Sequence, residues 1–364
     1  MEITIFGAGI AGLMSAITLR AQGHRCRVFE RNRQAHEAGM GFILMPEGIA
    51  CLNSFGVRLN GVHEGIPLQR YICLNADGEV LQEQAMPAGC RSFRRRDLIS
   101  NLVAALPEQD TLTFECELIS LDFNSAGCVT QARVKSGDKL LFLQADLYVA
   151  ADGIGSRARS ALYPAWPAPM AQVPEVVGLV RCRETVRWAN NNFHKLHSPY
   201  GGIAVGVLPV DEEHLVWFLQ FDARQFPPPQ ENEQACREFV SRLVGGWADP
   251  VPHLLAKTDF SRCHVWLPVD TDLIPSFHQG NLVLVGDAAH PVIPLTSQGL
   301  SSALSDAEAL ARLVTANGND LARALPEYSE ERRRQCAPYI AKGRDLTKYF
   351  LGPQVASRVL LPMA

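Results

Sequence analysis

The chain runs to 364 residues, 47% of them hydrophobic and 20% charged, with a formal net charge of −4. That composition is ordinary for a globular protein long enough for two domains, and the charge balance excludes a whole-molecule pull toward nucleic acid or an anionic membrane. Ten cysteines are scattered with no Cys-x-x-Cys pair, and neither His194 nor His197 has a cysteine nearby. No metal site is therefore expected, and reduced thiols in a cytoplasmic enzyme are the simplest reading.

Glu2–Phe6 reads as a short β-run, residues 11–22 as a helix after a glycine turn, and residues 25–30 as a second strand. The apolar opening is not read as a secretion signal, because Glu2 replaces a basic segment and glycines interrupt the run. Residues 94–106 carry helical spacing at Leu98, Leu102 and Leu106, stopped by Pro107. Meander strands are expected at 111–117, 118–124, 130–134 and 139–144, then a buried strand at 145–150 that leads into Asp152-Gly153. After the proline-rich stretch 164–174, strands are expected at 176–183, 202–208 and His214–Phe221, with a helix at Glu233–Val244. A buried strand returns at 282–285, and Gly299–Ala316 reads as a helix with Ala303, Leu304, Ala307 and Leu310 on one face. No uninterrupted run of about 20 apolar residues occurs, so no membrane span is expected.

Gly7-Ala8-Gly9-Ile10-Ala11-Gly12 follows the first strand and opens the first helix, with Ala16 four residues on. Gly7 permits a tight turn, Gly9 lets backbone approach a pyrophosphate, and Gly12 with Ala16 allows close helix–strand packing. The helix N-terminus offers unpaired N–H groups to phosphate. Glu30 ends the second strand where a carboxylate reaches an adenosine ribose, and Ala11 and Arg31 are the neighbouring candidate contacts. This pattern alone leaves NAD and FAD open.

Two further signatures narrow the choice. Asp152-Gly153-Ile154-Gly155-Ser156-Arg157-Ala158-Arg159 resembles the DGxxSxxR motif of the single-component FAD-dependent aromatic hydroxylases, the para-hydroxybenzoate hydroxylase-like flavoprotein monooxygenases. Gly286-Asp287-Ala288-Ala289-His290, then Pro294, Gln298-Gly299 and Asp306-Ala307, is similar to that family's GD motif and the helix after it. Arg95-Arg96-Asp97-Leu98 resembles its Arg-x-x-Leu element. The resemblance covers almost all of the chain except the middle sheet, where only strand pattern agrees. It implies an α/β fold: a discontinuous Rossmann-type FAD-binding domain of residues 1–72, 91–174 and 269–350, an inserted sheet-rich α+β substrate domain of 73–90 and 175–268, and C-terminal helices. Residues 351–364 are a tail too short for the extra thioredoxin-like domain of some relatives.

The resemblance also implies roles. Arg95 would reach the FAD phosphates, with Arg91, Arg94 and Arg96 left as surface. Asp152 would lie near FAD; Arg159 is either structural or cofactor-facing, the resemblance placing it near FAD and a transient NADH or NADPH path; and Gly286 and Asp287 would hold ribityl hydroxyls. Pro294 would wall one flavin face, and Ser297, Gln298, Gly299 and Leu300 would border the ring, the helix end stabilising anionic reduced flavin. The family commonly has glycine at the position of Ser297 and asparagine at that of Ser301, so this chain departs beside the reactive ring. Implied chemistry is reduction of FAD by NAD(P)H, addition of O2 at flavin C4a, and oxygen transfer from the hydroperoxide to an aromatic or heteroaromatic small molecule in a dry pocket. No catalytic nucleophile is assigned. Substrate candidates on the middle sheet are Arg181, Arg183, His194, His197, Tyr200 and Trp217. The rival expectation is an FAD-dependent oxidase or reductase acting on a small hydrophobic substrate without oxygen insertion. A monomer or homodimer without a nucleic-acid partner is expected in either case.

Overall fold

The computed structural model describes residues 1–35, 40–59, 64–106, 111–167 and 169–353. The chain opens with β1 (Glu2–Phe6), α1 (Ile10–Ala21), β2 (Arg25–Phe29), β3 (Gly41–Leu44), α2 (Pro46–Ser54) and β4 (Ile66–Pro67). Next come β5 (Arg70–Asn75), β6 (Val80–Ala85), β7 (Arg91–Arg94), α3 (Arg95–Ala104), β8 (Leu112–Thr113) and β9 (Cys116–Phe123). They are followed by β10 (Val129–Ser136), β11 (Lys139–Leu143), β12 (Leu147–Ala150) and α4 (Arg157–Leu162). The middle holds β13 (Glu175–Arg181), α5 (Arg183–Ala189), β14 (Phe193–His197), β15 (Ile203–Pro209), β16 (His214–Phe221), α6 (Glu233–Val244), α7 (Val251–Lys257) and β17 (His264–Trp266). β18 (His278–Gln279), β19 (Leu282–Leu284), α8 (Gly299–Ala316) and α9 (Leu321–Leu351) follow.

The first sheet has the order β18-β19-β12-β1-β2-β8, with all neighbours parallel except β18. Its central strands are buried on both faces, which is why they read as unbroken apolar runs. Phe6 is level with Phe29 on one side and Ala150 on the other, and Ala150 is level with Leu284. Four strands therefore end at one edge, and the turns after β1, β12 and β19 open together. Helix α1 sits unusually close to that edge. A Cβ on Gly12 would collide with the Gly7 carbonyl oxygen and stand 3.1 Å from the Ala151 Cβ. Gly286 is as constrained, at φ +59° with a Cβ position 2.9 Å from Ala11.

The second large sheet has the order β17-β13-β16-β15-β14-β5-β6. One face, with Val176, Leu196, Val207, Trp217 and Phe221, packs under α6 and α7. The opposite, inner face carries Tyr71, Cys73, Phe193 and Leu208 against Ile43 and Met45, and its Ala204 against Ile293, Leu295 and Phe350.

Most expected elements appear with ends moved by a residue or two, the usual scatter at frayed ends. Four differences are larger. The run 111–124 is not two meander strands. Glu115 adopts a left-handed φ of +56°, β8 ends at Thr113 beside β2, and β9 then pairs along β10. The chain changes sheets there because Glu30 N–H donates to the Thr113 carbonyl while Cys116 N–H donates to the Glu30 carbonyl. Arg94 ends β7 rather than starting the helix, and it is buried beside Asp211 at 3.3 Å instead of lying on the surface. The strand β14 was not anticipated, because Phe-His-Lys-Leu-His shows no apolar alternation. Residues 183–189 form a short helix, α5, where strand 176–183 was expected to end. Pro107 and residues 354–364 of the tail lie outside the described residues.

Candidate active site

The turns after the parallel strands line a cleft with Gly7, Gly9, Glu30, Arg31, Arg95, Asp152 and Gly155 on its walls. Gly9 precedes α1 without a side-chain cap, so first-turn N–H groups face the cleft with no protein acceptor. No heavy atom lies within 4 Å of a Cβ built on Gly9, Gly153, Gly155 or Gly299. Gly9, Gly155 and Gly299 also lack a positive φ, so neither packing nor backbone conformation requires glycine at these three positions. Glu30 is buried; one carboxylate oxygen accepts from Ala8 N–H at 2.8 Å and the other from Asn32 N–H at 2.9 Å and Asn32 Nδ2 at 2.7 Å. It thus clamps the glycine turn while bordering the cleft.

Arg95 begins α3 and is desolvated, which lowers its pKa against the opposing pull of Asp287. Its Nε has no hydrogen-bond partner. Asp152 accepts from Arg157 N–H at 2.8 Å with one oxygen, while the other is buried and unpaired. Asp287 is exposed on the turn after β19. Desolvation by the surrounding protein nonetheless raises its carboxyl, against His290, Arg95 and Arg159. Orphaned buried polar atoms are uncommon in native interiors. An unpaired guanidinium nitrogen, free helix N–H groups and glycines bordering open space together fit a long ligand with phosphates and hydroxyls.

Of the two roles left open for Arg159, the geometry of its side chain supports the structural one. Its guanidinium donates to the carbonyls of Asp287 at 2.9 Å, Ala288 at 3.0 Å and Ile154. It braces the two turns against each other. A second brace lies behind Asp287. Asp306 accepts from Gly286 N–H at 2.7 Å, pairs with His290 at 2.6 Å and takes the Arg332 Nε at 2.6 Å. Burial opposes charge on His290, but Asp306 outweighs it and holds the imidazole pKa well above the ordinary value. Cys336 also approaches this set, yet the guanidinium of Arg332 shares the Asp306 carboxylate, so the cluster is an ion network tying α8 and α9 to the turn.

Beyond the Asp287 turn, Pro294 begins a single 3-10 turn whose C-cap, Ser297, sits at φ +54°, ψ 20°. That left-handed conformation favours glycine, which places the Ser297 departure on a strained residue. Gln298 caps α8 without a side-chain bond, and Gly299 and Leu300 form its first turn, half-buried. The Ser301 hydroxyl is buried and unpaired.

The substrate candidates divide sharply. Arg181 and Arg183 are exposed and both pair with Glu213 at the outer end of a hairpin. Trp217 is fully buried on the helix-covered face, donating to Thr258 Oγ1 at 2.9 Å, and His194 lies on the same face stacked on Trp188. Tyr200 is 86% exposed. None of these five faces the cofactor turns; strand parity sends alternate residues to opposite faces, and sequence did not reveal which face was covered. His197 does point to the inner face. It is buried, with both ring nitrogens unpaired, and burial together with Lys195 drives its pKa well down. Missed altogether were Lys195, Glu175 and Gln220 on that face. Lys195 and Glu175 are charged and Gln220 is polar, residue types that on a strand ordinarily mark a solvent face.

Among the described residues, no helix is long and apolar enough to cross a membrane. The profile of the FAD-binding domain family matches residues 1–341. The chain is 27% identical to 3-amino-4-hydroxybenzoate 2-monooxygenase PtnB3 of Streptomyces platensis, over 91% of this chain and 84% of that one. It is 26% identical to the FAD-dependent urate hydroxylase of Mycolicibacterium vanbaalenii, over 98% and 91%. In fold it is similar to Klebsiella pneumoniae HpxO complexed with FAD and uric acid, at TM-score 0.83 and 23% identity, covering 95% of this chain and 88% of that one. These relatives do not favour the oxidase or reductase alternative. With the cofactor turns described above, they establish that the chain belongs to the FAD-binding domain family and, within it, to the FAD-dependent aromatic hydroxylases.

Proposed function

We propose that this enzyme uses NADH or NADPH and O2 to hydroxylate a small aromatic or heteroaromatic ring held between the Pro294 turn and the inner face of the second sheet. The observation that carries the reading is the packing of Ile293 and Leu295, on either side of Pro294, against Ala204 of that face. It brings the ring end of the cradle to a buried sheet surface that carries unpaired polar groups.

FAD, when bound, supplies electron transfer from the nicotinamide to oxygen and delivery of one oxygen atom to the ring. The chain supplies position and field. The α1 N-terminus and Arg95 hold the pyrophosphate, Glu30 the adenosine ribose, and Asp287 the ribityl hydroxyls. Arg159 and the Asp306 network keep the turns in register. The N-terminus of α8, without a side-chain cap, would offer its positive end to the pyrimidine edge of the flavin. Pro294, Leu295 and the sheet exclude water from the reacting side. In this reading the substrate domain is residues 73–90 and 175–268, its first boundary better set at Arg70, where β5 begins. The remaining segments 1–69, 91–174 and 269–350 make the cofactor domain. A cytoplasmic location accords with ten free cysteines, nine of them buried.

The test times flavin reduction by NADH and by NADPH with and without candidate aromatics. Faster reduction with a ring present, and recovery of that ring hydroxylated, is expected. Reduction coupled only to H2O2, with every candidate ring unaltered, would overturn the proposal.

A further inference from the structure

The inner face of the second sheet carries two adjacent cross-strand rows, and Ala204 of the second packs against Ile293, Leu295 and Phe350. One runs Val177, Phe218, Gly206, Lys195, Cys73; the next runs Glu175, Gln220, Ala204, His197, Asn75. Lys195 is only 5% exposed, and its Nζ lies 5.7 Å from the centroid of the Phe350 ring. It forms no ion pair within 4 Å and no hydrogen bond with a described residue. Gln220 donates its amide to Glu175 at 2.6 Å, leaving its own Oε1 buried and unpaired. His197, 6% exposed, leaves both ring nitrogens unpaired. Gly206 makes room for the Phe218 ring, which lies where a Cβ would be. A buried ammonium with a lone aromatic contact, beside an imidazole and an amide oxygen that bond to nothing, is not a packed core. Interiors satisfy such groups, and those left over at one place mark where a ligand's polar atoms arrive.

We propose that Lys195 is the cation that selects the substrate, and that the ring hydroxylated here carries an anionic group, a carboxylate or a ring oxyanion, directed at Lys195, with a His197 ring N–H donating to it and Gln220 Oε1 accepting from a hydroxyl or amino group of the same ring. This rests on the proposed function, since it concerns the ring bound beside the Pro294 turn. The groups facing Lys195 are Glu175 from β13, Cys73 from β5, His197 from its own strand and Phe350 from α9, with Gln220 behind Glu175. Burial pulls the Lys195 pKa down to about 8, against Glu175 and Cys73, which raise it. Burial likewise raises the Glu175 carboxyl, against Gln220 and Lys195. The ammonium is thus present at neutral pH and lost just above it, so affinity for a permanent anion should fall as pH rises through about 8. A bound anion favours the charged ammonium, so binding above that pH takes up a proton.

The test uses FAD-loaded enzyme and two probe sets, hydroxy- and aminobenzoates and their primary amides, followed by calorimetry and by the flavin difference spectrum from pH 6.5 to 9.5. Wild type should prefer a benzoate over its amide by about tenfold or more, the scale of a charge-assisted hydrogen bond, and lose that preference above pH 8. Lys195→Met keeps the stem and removes the charge; it should abolish the preference at every pH while leaving amide binding within about twofold. Lys195→Arg should restore a preference that persists to pH 9.5, because guanidinium does not titrate there. Equal binding of acids and amides, a preference unchanged in Lys195→Met, or no binding of either set to enzyme that holds FAD normally would each overturn the proposal. Failure to bind FAD at all would instead overturn the proposed function.

Discussion

Gly9 offers a way to separate what the protein needs from what the cofactor needs. Its backbone, at φ −74° and ψ 179°, suits any residue, and a Cβ there would meet nothing within 4 Å. Gly12, one turn on, would drive a Cβ into the Gly7 carbonyl, which cannot rotate away. In cofactor-free protein Gly9→Ala should therefore cost only about 0.5–1 kcal/mol, the difference between glycine and alanine at an N-cap. Gly12→Ala should cost about 3 kcal/mol or more, as an overpacked contact with backbone. With FAD the order changes. A methyl group forced against the pyrophosphate costs about 1–3 kcal/mol, which raises Kd roughly 5- to 150-fold. Wild type at FAD a thousandfold above Kd gains about 4.1 kcal/mol of stability; a variant bound a hundredfold more weakly, at the same FAD concentration, keeps about 1.4 kcal/mol. The assay is urea unfolding of both variants with and without FAD, beside a fluorescence titration of FAD. FAD affinity of Gly9→Ala within twofold of wild type would refute the reasoning. So would a loss of cofactor-free stability equal to that of Gly12→Ala.

Asp287→Ala should weaken FAD about 10-fold to 100-fold, the range for hydrogen bonds to a charged group, without destabilising the cofactor-free fold; unchanged affinity in equilibrium dialysis would show the ribityl contact misplaced. Arg95→Met and Arg159→Met should behave oppositely. The first loses FAD while the apoprotein melts unchanged, and the second lowers apoprotein stability by about 2–4 kcal/mol because three buried carbonyls lose their donor. At the left-handed Ser297, Ser297→Val should cost about 1–2 kcal/mol in urea unfolding and Ser297→Gly less than about 0.5 kcal/mol either way, relief of strain offsetting the freer unfolded chain. The His290–Asp306 pair gives a pH signature. His290 has a raised folded pKa, so its contribution is fully present below about 6.5 and is lost as pH rises through the folded value; Asp306 has a lowered pKa, so its contribution is lost only in acid. Unfolding midpoints measured from pH 6 to 10 should fall on the alkaline side in wild type, and the part of that slope due to this pair should vanish in Asp306→Asn, itself destabilised by about 3–5 kcal/mol. An identical pH profile in the variant would show that the imidazolium is not held as described.

The cofactor cradle was largely legible because its signals are local. Gly7, Gly9 and Gly12 act through the turn they occupy, and Asp152, Gly286 and Asp287 follow apolar strands whose burial on both faces shows in their composition. Three such turns opening at one edge is a consequence of parallel pairing, which the strand–helix–strand order implies. Arg159 was legible as important but not in role. A guanidinium near phosphates and one spent on three backbone carbonyls look alike in sequence, and only the approach of Ile154 to Asp287 and Ala288 distinguishes them. Arg94 was misplaced for a related reason, since its partner Asp211 lies 117 positions away.

Sequence by itself determined the α/β class, the nucleotide turns and the family. It did so because glycine conformations, turn carboxylates and strand composition are set within a few residues. Tertiary structure alone decided the substrate face. Trp217 and His194 lie under helices, Lys195 and His197 lie on the inner face, and one residue of parity separates the two outcomes. Which face is inner depends on where α6, α7 and the end of α9 pack, and the α9 contact, Phe350 against Lys195, joins segments more than a hundred residues apart. Lys195, in a segment whose sequence shows no strand pattern, is for that reason the buried cation beside the proposed reaction site.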